Sequence, residues 1–263
     1  MDLGLKGKRA LVLGASQGLG RAIATELAQE GADVALMARR EDVLQQVKTE
    51  LDALSGGGRI MVAQADLADE ASVKTAYQAV QGSFGGVDIL VLVSGGPPPG
   101  GAEAPSSEVW RQQYELLMLA PMALVKMALP GMKANHWGRI ITVASSGIVQ
   151  PIPRLSISNT LRSGFVAWSK TLASDVAADG ITANVIVPGR IATDRVAQLD
   201  QGNATRSGIT VDEVKAQSRA KIPMGRYGEP REFAAMAAFL VSERASYVTG
   251  SIVRVDGGLI TAI

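Results

Sequence analysis

The chain of 263 residues has no cysteine and a single histidine, His136. Disulfides and thiolate metal sites are therefore excluded, and one histidine cannot form a multi-histidine site, so we expect no metal ion. The formal net charge is only +1, which argues against a partner bound mainly through charge, such as a nucleic acid.

The sequence also lacks long apolar runs and a targeting segment. No run approaches the roughly 18 residues of a membrane-spanning helix, and no basic and apolar signal segment stands at the N-terminus. We therefore expect a soluble, cytoplasmic protein without a membrane contact. Hydrophobic residues make up 47% of the chain, which at this length predicts one globular α/β domain over residues 1–263.

The N-terminal region contains a glycine-rich turn between a strand and a helix. An apolar run, Ala10 to Leu13, leads into Gly14, Gly18 and Gly20, after which a helical pattern begins. Gly14 allows a sharp turn, Gly18 lets backbone approach a ligand, and Gly20 lets the helix pack closely on the strand. The N–H groups at the start of this helix would face an anion, most naturally the pyrophosphate of a dinucleotide.

Two arginines follow the second predicted strand, at 34–37. In a dinucleotide-binding fold the adenosine ribose lies here, where an acidic residue suits the 2′-hydroxyl of NAD(H) and arginine suits the 2′-phosphate of NADP(H). Ala38 holds the last strand position, and Arg39 and Arg40 follow it. The sequence therefore favours NADP(H) as the cofactor. NAD(H) stays possible, because a solvated basic turn would have the same sequence.

Apolar and helical patterns alternate along the rest of the chain. Further strands are predicted at 60–65, 87–96, 139–144, 182–187 and 251–255. Helices are predicted at 22–29, 42–54, 70–81, 106–118, 122–132, 156–178 and 229–242, with an interruption at Pro121 and a stop around Pro130. This alternation predicts a single-domain Rossmann fold, a doubly wound seven-stranded parallel sheet with helices on both faces. Residues 192–221 carry no strand signal and are predicted to form a lid-like segment.

Small and polar residues stand where several predicted strands end, which is the ligand edge of an open parallel sheet. Asp66 and Leu67 follow the third strand, and Asp66 either contacts the adenine or caps the next helix. Gly95 and Gly96 remove side chains beside the expected cofactor.

Together these motifs resemble the short-chain dehydrogenase/reductase family over nearly the whole chain. The turn from Leu13 to Gly20 resembles its Thr-Gly-x-x-x-Gly-x-Gly turn, Asp66-Leu67 its adenine-contacting pair, and residues 188–193 the segment that holds the nicotinamide carboxamide. Residues 225–230, 248–250 and 255–258 match its C-terminal pattern. The resemblance implies hydride transfer between C4 of a nicotinamide and a carbonyl or alcohol carbon, with a 3-oxoacyl reductase as the broad guess. Taken with the motifs, it indicates these cofactor-binding residues: Gly14, Ser16, Gln17, Gly18, Leu19, Gly20, Arg39, Arg40, Asp66, Leu67, Ser94, Gly95, Gly96, Arg162, Pro188, Gly189, Ile191 and Thr193.

At the positions that correspond to the family's proton-transfer residues, this sequence mostly carries other amino acids. The family uses Asn, Ser, Tyr and Lys; here the serine position is Ser145, but Ser158 stands at the tyrosine position, Arg162 at the lysine position and Leu117 at the asparagine position. A serine hydroxyl is a far weaker acid than a tyrosine, and an arginine keeps its proton. We take Ser145, Ser158 and Arg162 as the candidate catalytic residues. Arg162 would bind the nicotinamide ribose, Ser158 would bind the substrate, and a water would deliver the proton.

The altered site leaves other functions open. The same fold could serve as a catalytically weak or inactive dinucleotide-binding sensor or partner subunit, or carry chemistry other than redox. Tyr114 is a minor catalytic candidate, since an aromatic at such a position is more often packed in the core. His136 is expected in a surface loop at the end of the sheet opposite the cofactor.

Three arginines, Arg154, Arg162 and Arg190, follow or lie in segments of the predicted active edge. If they converge, they would bind an anionic small-molecule substrate, although Arg154 is equally well explained as a solvated residue. The resemblance also implies a homodimer or homotetramer, formed through 106–132, 156–178 and the last strand.

Overall fold

Seven parallel strands form one sheet in the computed structural model, which describes residues 2–262. The strands are β1 (Arg9–Leu13), β2 (Asp33–Ala38), β3 (Ile60–Gln64), β4 (Ile89–Leu92), β5 (Gly138–Val143), β6 (Ile181–Pro188) and β7 (Ile252–Val255). Their order in the sheet is β3-β2-β1-β4-β5-β6-β7. The winding direction reverses between β1 and β4, and this reversal opens a crevice at the carboxyl ends of those two strands.

Helices cover both faces of the sheet. They are α1 (Gly18–Gln29), α2 (Glu41–Leu54), α3 (Glu70–Phe84), α4 (Ser107–Tyr114), α5 (Ala120–Ala134), α6 (Ser156–Val176), α7 (Asp194–Ser207), α8 (Val211–Ala220) and α9 (Pro230–Val241). Helices α1, α2 and α9 build the core on one face, and α3, α5 and α6 build it on the other. The predicted doubly wound sheet is confirmed, and the central strands are continuously apolar because both of their faces are buried.

The helical stretch before β5 differs from the prediction. Pro121 was expected to interrupt it and Pro130 to end it, yet helix continues from Ser107 to Ala134. A π-helical turn, Glu115–Leu119, widens the helix just before Pro121, which lies in the first turn of α5. Pro121 has no N–H to donate inside this continuous helix, and the wider π-turn before it accommodates the missing bond.

The same stretch, Ser107–Ala134, is the one helix within residues 2–262 that is long and apolar enough to cross a membrane by length and composition. Core helices of globular proteins meet that criterion as well. Here Leu124, Val125 and Ala128 are at most 1% exposed and pack in the core beneath α3 and β5. The helix is thereby a structural layer of this domain.

Residues 192–221 hold two helices, α7 and α8, joined by a short turn. A buried ion pair fastens them to the end of β6. Arg190 donates from Nη2 to the carboxylate of Asp200, which is 0% exposed, and to Ser218 Oγ at 3.1 Å. Tyr227 donates its hydroxyl to the second oxygen of Asp200 at 3.0 Å. The segment is therefore ordered against the sheet edge by a closed polar cluster.

Candidate active site

The glycine-rich turn has the geometry that its spacing predicts. Gly14 and Gly18 have φ values of 69° and 57°, a region that disfavours residues with a Cβ. A Cβ on Gly14 would overlap the carbonyl oxygen of Val93, and one on Gly20 would overlap the carbonyl oxygen of Gly14. Around Gly18 the nearest atoms to an added Cβ belong to Thr193, at 3.8 Å. The turn therefore packs tightly on its inner side and leaves open space at Gly18.

The N-terminus of α1 is left without a side-chain cap. Gln17 stands at the cap position, but its side chain makes no bond to the helix. Instead, its Oε1 accepts a hydrogen bond from Arg40 Nη2 at 2.7 Å. The free N–H groups of the first turn, with the positive end of a 12-residue helix behind them, form an anion-binding site.

Two arginines follow β2, and its last position is Ala38 and not an acid; Glu41 and Asp42 come after the arginines, in the first turn of α2. Arg39 is exposed, and its carbonyl oxygen accepts a bond from Gln64 Nε2 at 3.0 Å. The bond from Arg40 to Gln17 holds the second guanidinium beside the glycine-rich turn. The side chains at the end of this strand are those of Met37 and Ala38. This arrangement offers positive charge where an adenosine ribose would lie.

Asp66 follows β3 and does not cap α3. Its Oδ1 accepts a bond from Ala68 N at 3.0 Å within a local turn, while Asp69 caps the helix by accepting from Ala71 N at 2.9 Å. The capping alternative for Asp66 is therefore wrong, because the chain makes one further turn before α3 begins. The exposed Asp66 carboxylate stays available at the ligand edge.

Arg162 joins the carboxyl ends of β4 and β5. From α6 its Nη1 donates to Val143 O at 2.9 Å and to Ser94 Oγ at 3.4 Å, and its Nη2 donates to Ser94 O at 3.1 Å and Gly95 O at 3.0 Å. Burial, and after it the positive charge of Arg195, lower the pKa of Arg162 to about 10. The group is still a cation at neutral pH, fixed at the mouth of the crevice.

A small cavity lies behind this guanidinium. It has a volume of about 10 Å³, close to the minimum for one water molecule. Its wall includes Ser94, Leu117, Arg162 and Thr142. Thr142 is 4% exposed, and its hydroxyl has no hydrogen-bond partner within residues 2–262. Leu117, at the position where the resemblance expects asparagine, packs against Ile157 and Leu161 and supplies no polar group.

Two serines lie on either side of the entry to α6. Ser145 follows β5, and its Oγ accepts a bond from Gly147 N at 3.2 Å at the start of a short helical turn that packs against α6. Ser158 is 5% exposed on the buried face of α6, one turn before Arg162, and its hydroxyl bonds to no group of residues 2–262. Asn159 holds the preceding loop, donating to Ile152 O at 2.9 Å.

The segment after β6 closes the site from the other side. A Cβ on Gly189 would meet Asp256 Cα at 2.5 Å, so this glycine lets the chain pass the turn after β7. Ile191 is 3% exposed and pairs with Gly228, which fixes the start of the segment. Thr193 caps α7, with its Oγ1 accepting from Val196 N at 3.4 Å. Its methyl group faces Gly18 across the crevice.

Arg195 is a site residue that the sequence reasoning missed. It lies in the first turn of α7 and donates from Nη2 to Pro97 O at 2.8 Å. Its guanidinium packs on Gly96, where an added Cβ would lie 2.5 Å from Nε. Burial lowers the pKa of Arg195. The missing signal was topological, because nothing in the local sequence indicates that α7 reaches the loop after β4.

The other arginines do not gather as expected. Arg190 is bound to Asp200, and its guanidinium lies over the Tyr227 ring at 5.5 Å, so it serves the α7–α8 cluster. Arg154 is exposed and has a φ of 63°. Of the three arginines expected to converge, Arg162 is the one that contacts the crevice.

Tyr114 and His136 are both exposed to solvent. Tyr114 is 41% exposed and makes no hydrogen bond within residues 2–262, so the expectation of a core aromatic is wrong. Its position at the end of α4, next to the π-turn, leaves the ring half outside the core. His136 is exposed in the loop before β5, at the amino end of the sheet, which confirms the prediction of a surface loop residue.

The crevice fits a dinucleotide. The glycine turn leaves a cradle that a side chain would fill, α1 presents unpaired N–H groups, and Gly95 has nothing within 4 Å of an added Cβ. A parallel sheet with such a turn at its switch point defines a dinucleotide-binding α/β protein.

Comparison with known proteins shows which dinucleotide-binding family the chain resembles. A family model described as enoyl-(acyl carrier protein) reductase matches residues 14–260. D-beta-hydroxybutyrate dehydrogenase of Cupriavidus necator is 34% identical over 255 residues, which are 97% of this chain and 98% of that protein. The 3-oxoacyl-(acyl-carrier-protein) reductase FabG of Escherichia coli is 34% identical over 259 residues, 98% of this chain and 99% of that one.

Among solved structures, L-sorbose reductase from Gluconobacter frateurii, complexed with NADPH and L-sorbose, superposes with a TM-score of 0.94 at 35% identity over the full length of both chains. The chain therefore belongs to the short-chain dehydrogenase/reductase family of oxidoreductases, as the sequence motifs predicted.

Proposed function

We propose that this protein is an NADP(H)-dependent reductase that converts the carbonyl of a small-molecule substrate to an alcohol, with a 3-oxoacyl compound as the broad substrate type. The observation that carries the proposal is the end of β2, where Arg39 and Arg40 follow the strand, Arg40 is held beside the uncapped α1, and the last strand position is Ala38 and not an acid. The relatives that act on 3-oxoacyl groups, or bind NADPH in their crystals, support it.

The cofactor would be held along the crevice by the predicted residues. The N–H groups around Gly18 and Leu19 would bind its diphosphate, and Arg39 and Arg40 its 2′-phosphate. Asp66 and Leu67 would contact the adenine. The nicotinamide end would lie among Ser94, Gly95, Gly96 and Arg162 on one side, and the segment Pro188, Gly189, Ile191 and Thr193 on the other. When bound, the nicotinamide supplies a hydride to the carbonyl carbon.

The chain's own groups then have to manage charge and a proton at the substrate oxygen. Arg162 places a fixed positive charge at this edge, which stabilises the negative charge that develops on that oxygen. Ser158 has a free hydroxyl that can donate to the same oxygen, and Ser145 stands nearby at the end of β5. Since a serine does not ionise near neutral pH, the proton itself would come from a water that these hydroxyls orient.

The test combines binding and turnover. We expect NADPH to bind more tightly than NADH and the double substitution Arg39→Gln with Arg40→Gln to weaken NADPH binding by about tenfold or more while leaving NADH nearly unchanged. Turnover is then followed as the loss of NADPH absorbance in the near ultraviolet. The substrates tested are a panel of 3-oxoacyl thioesters, oxo acids and keto sugars. If the protein binds NADPH tightly but transfers hydride to none of these substrates, the proposal that it is a reductase is refuted.

A second candidate function is a dinucleotide-binding sensor or partner subunit with little or no turnover. The observation in its favour is the proton-transfer site, where Ser158 and Leu117 stand at positions that the family fills with tyrosine and asparagine. Cofactor binding needs neither residue. The turnover panel separates the two candidates, because a sensor binds the cofactor without consuming it.

We also propose a cytoplasmic homotetramer, with residues 192–221 acting as a lid over the crevice. Leu119 beside α5 and Ile252 on β7 are 37% and 48% exposed, and β7 is the edge strand of the sheet, which supports burial against further copies. Light scattering coupled to size-exclusion chromatography gives the oligomeric state.

The bond from Arg195 to Pro97 supports a lid that closes on the loop after β4.

A further inference from the structure

Two guanidinium groups enclose the glycine pair after β4. Arg162 reaches Gly95 O from α6 at 3.0 Å, and Arg195 packs on Gly96 from α7 while bonding Pro97 O at 2.8 Å. The two side chains come from different helices and contact successive residues of the same loop. They are close enough for the charge of Arg195 to lower the pKa of Arg162.

Neither arginine has a counter-charge within the described part of the chain. Both have lowered pKa values through burial, and no carboxylate acts on either in the opposite direction. Every ion pair found in residues 2–262 involves other cations. Two neighbouring, partly buried cations repel each other and lose hydration, which costs free energy unless an anion joins them.

Arg195 has more free donors than Arg162. The Nη atoms of Arg162 are taken up by three carbonyl oxygens and the Ser94 hydroxyl. Arg195 makes one hydrogen bond, in which one of the two Nη2 hydrogens goes to Pro97 O. The second Nη2 hydrogen and those of Nε and Nη1 have no acceptor in residues 2–262, so one bidentate edge, Nε with Nη2 or Nη1 with Nη2, stays open. A guanidinium with such an open edge matches the two oxygens of a carboxylate.

We propose that Arg195 binds a carboxylate of the substrate, with the charge of Arg162 behind it, so that the substrate is a small oxo acid or hydroxy acid. The inference rests on the proposed function, because it places this group beside the nicotinamide end of the crevice. It replaces the arginine set expected from sequence, since Arg190 is neutralised by Asp200 and Arg195 is not neutralised.

A diphosphate is the other oxyanion that could reach Arg195, because Thr193, two residues earlier, faces the glycine-rich turn. The two sources predict different losses. If the dinucleotide supplies the anion, Arg195→Gln weakens NADPH itself. If the substrate supplies it, NADPH binding is kept and recognition of the carboxylate is lost.

The experiment compares 3-oxobutanoate with its uncharged ethyl ester at saturating NADPH. Arg195→Gln should lower kcat/KM for the acid by about 10- to 100-fold, which is the loss expected when a charge-assisted pair is removed. For the ester, which has no carboxylate, kcat/KM should fall by less than about threefold. Arg195→Lys should restore part of the loss, because it keeps the charge without the fork. Arg219→Gln is the matched control, as Arg219 is exposed on α8 of the same segment and its side chain makes no hydrogen bond in residues 2–262.

A binding measurement keeps the inference testable if no turnover is found. Calorimetric titration of 3-oxobutanoate into the NADP⁺-loaded protein should show binding that Arg195→Gln abolishes and Arg219→Gln retains. Absence of turnover with this binding intact would refute the reductase and leave the anion site standing. Equal losses for acid and ester, or a loss of NADPH affinity in Arg195→Gln, would refute the anion site.

Discussion

Arg162 Nη1 donates to the carbonyl oxygen of Val143 at 2.9 Å, and this bond fixes α6 to the end of β5. The same guanidinium holds the loop after β4. A residue that stands at the family's lysine position has thereby become a main-chain clamp as well as a source of charge. Its Nη donors are engaged, and a cation that keeps its proton cannot take part in proton relay.

Restoring the general acid should raise turnover. We predict that Ser158→Tyr combined with Arg162→Lys increases kcat for carbonyl reduction by about 100-fold or more, since a positioned general acid contributes roughly 10²–10⁴. Steady-state kinetics with NADPH and the best substrate of the panel measure it. Ser158→Phe with Arg162→Lys is the control for the added ring, and an equal gain in that variant would contradict the role of the hydroxyl.

Gly20 should be irreplaceable for packing. Gly20→Ala puts a Cβ into the carbonyl oxygen of Gly14, so we expect a loss of about 1–3 kcal/mol in the free energy of unfolding and weaker NADPH binding. Gly82→Ala is the control, because Gly82 lies inside α3 with nothing within 4 Å of an added Cβ. That variant should be more stable than the parent by up to about 1 kcal/mol. Urea denaturation of both proteins decides the matter.

Asp200 should be the main support of residues 192–221. Asp200→Asn leaves Arg190 without its ion pair in a site where the carboxylate is 0% exposed, and breaking a buried pair costs about 3–5 kcal/mol. We expect amide hydrogen exchange in α7 and α8 to accelerate far more than exchange in β1 and β4. Asp194→Asn, an exposed residue on the same helix, should leave exchange unchanged. Uniform acceleration over the whole chain would mean that the cluster supports the fold and not this segment in particular.

Glu232 should titrate far below an ordinary carboxyl group. Arg226 donates to both of its oxygens, at 2.8 and 2.6 Å, and Glu229 N donates at 2.7 Å, which lowers its pKa to about 2. A depressed carboxyl pKa means that the stabilisation is complete above about pH 4.5 and is lost as pH falls towards 2. Side-chain NMR titration should give a midpoint near 2 in the parent and a higher one in Arg226→Gln. A midpoint near 4 in the parent would show that the pair does not form in solution.

The sheet was predictable from sequence because its central strands β1 and β4 carry continuous apolar runs, which burial on both faces demands. The need for glycine at positions 14 and 20 was also predictable from sequence, because at each position the backbone passes too close to a carbonyl oxygen to allow a Cβ. The continuous helix through Pro121 could not be predicted from sequence, because the π-turn at 115–119 depends on the packing of the whole helix.

The candidate site divides in the same way. Residues of the glycine turn and of the end of β2 act through local backbone geometry, which a motif records. Arg195 and Asp200 act through partners distant in the chain or on another element, Pro97 for the first and Tyr227 for the second. No periodicity encodes such contacts, and they emerge only when α7 is placed against the sheet.

The clamp formed by Arg162 has a consequence for how this site can change over generations. Three of its four contacts are to main-chain oxygens, of Val143, Ser94 and Gly95, and every amino acid carries such an oxygen. Side chains at positions 94 and 143 are therefore free to vary without releasing the guanidinium. A lineage holding this arginine can therefore change the side chains around the guanidinium in single mutational steps while the scaffold stays in place, which makes this part of the site tolerant of drift.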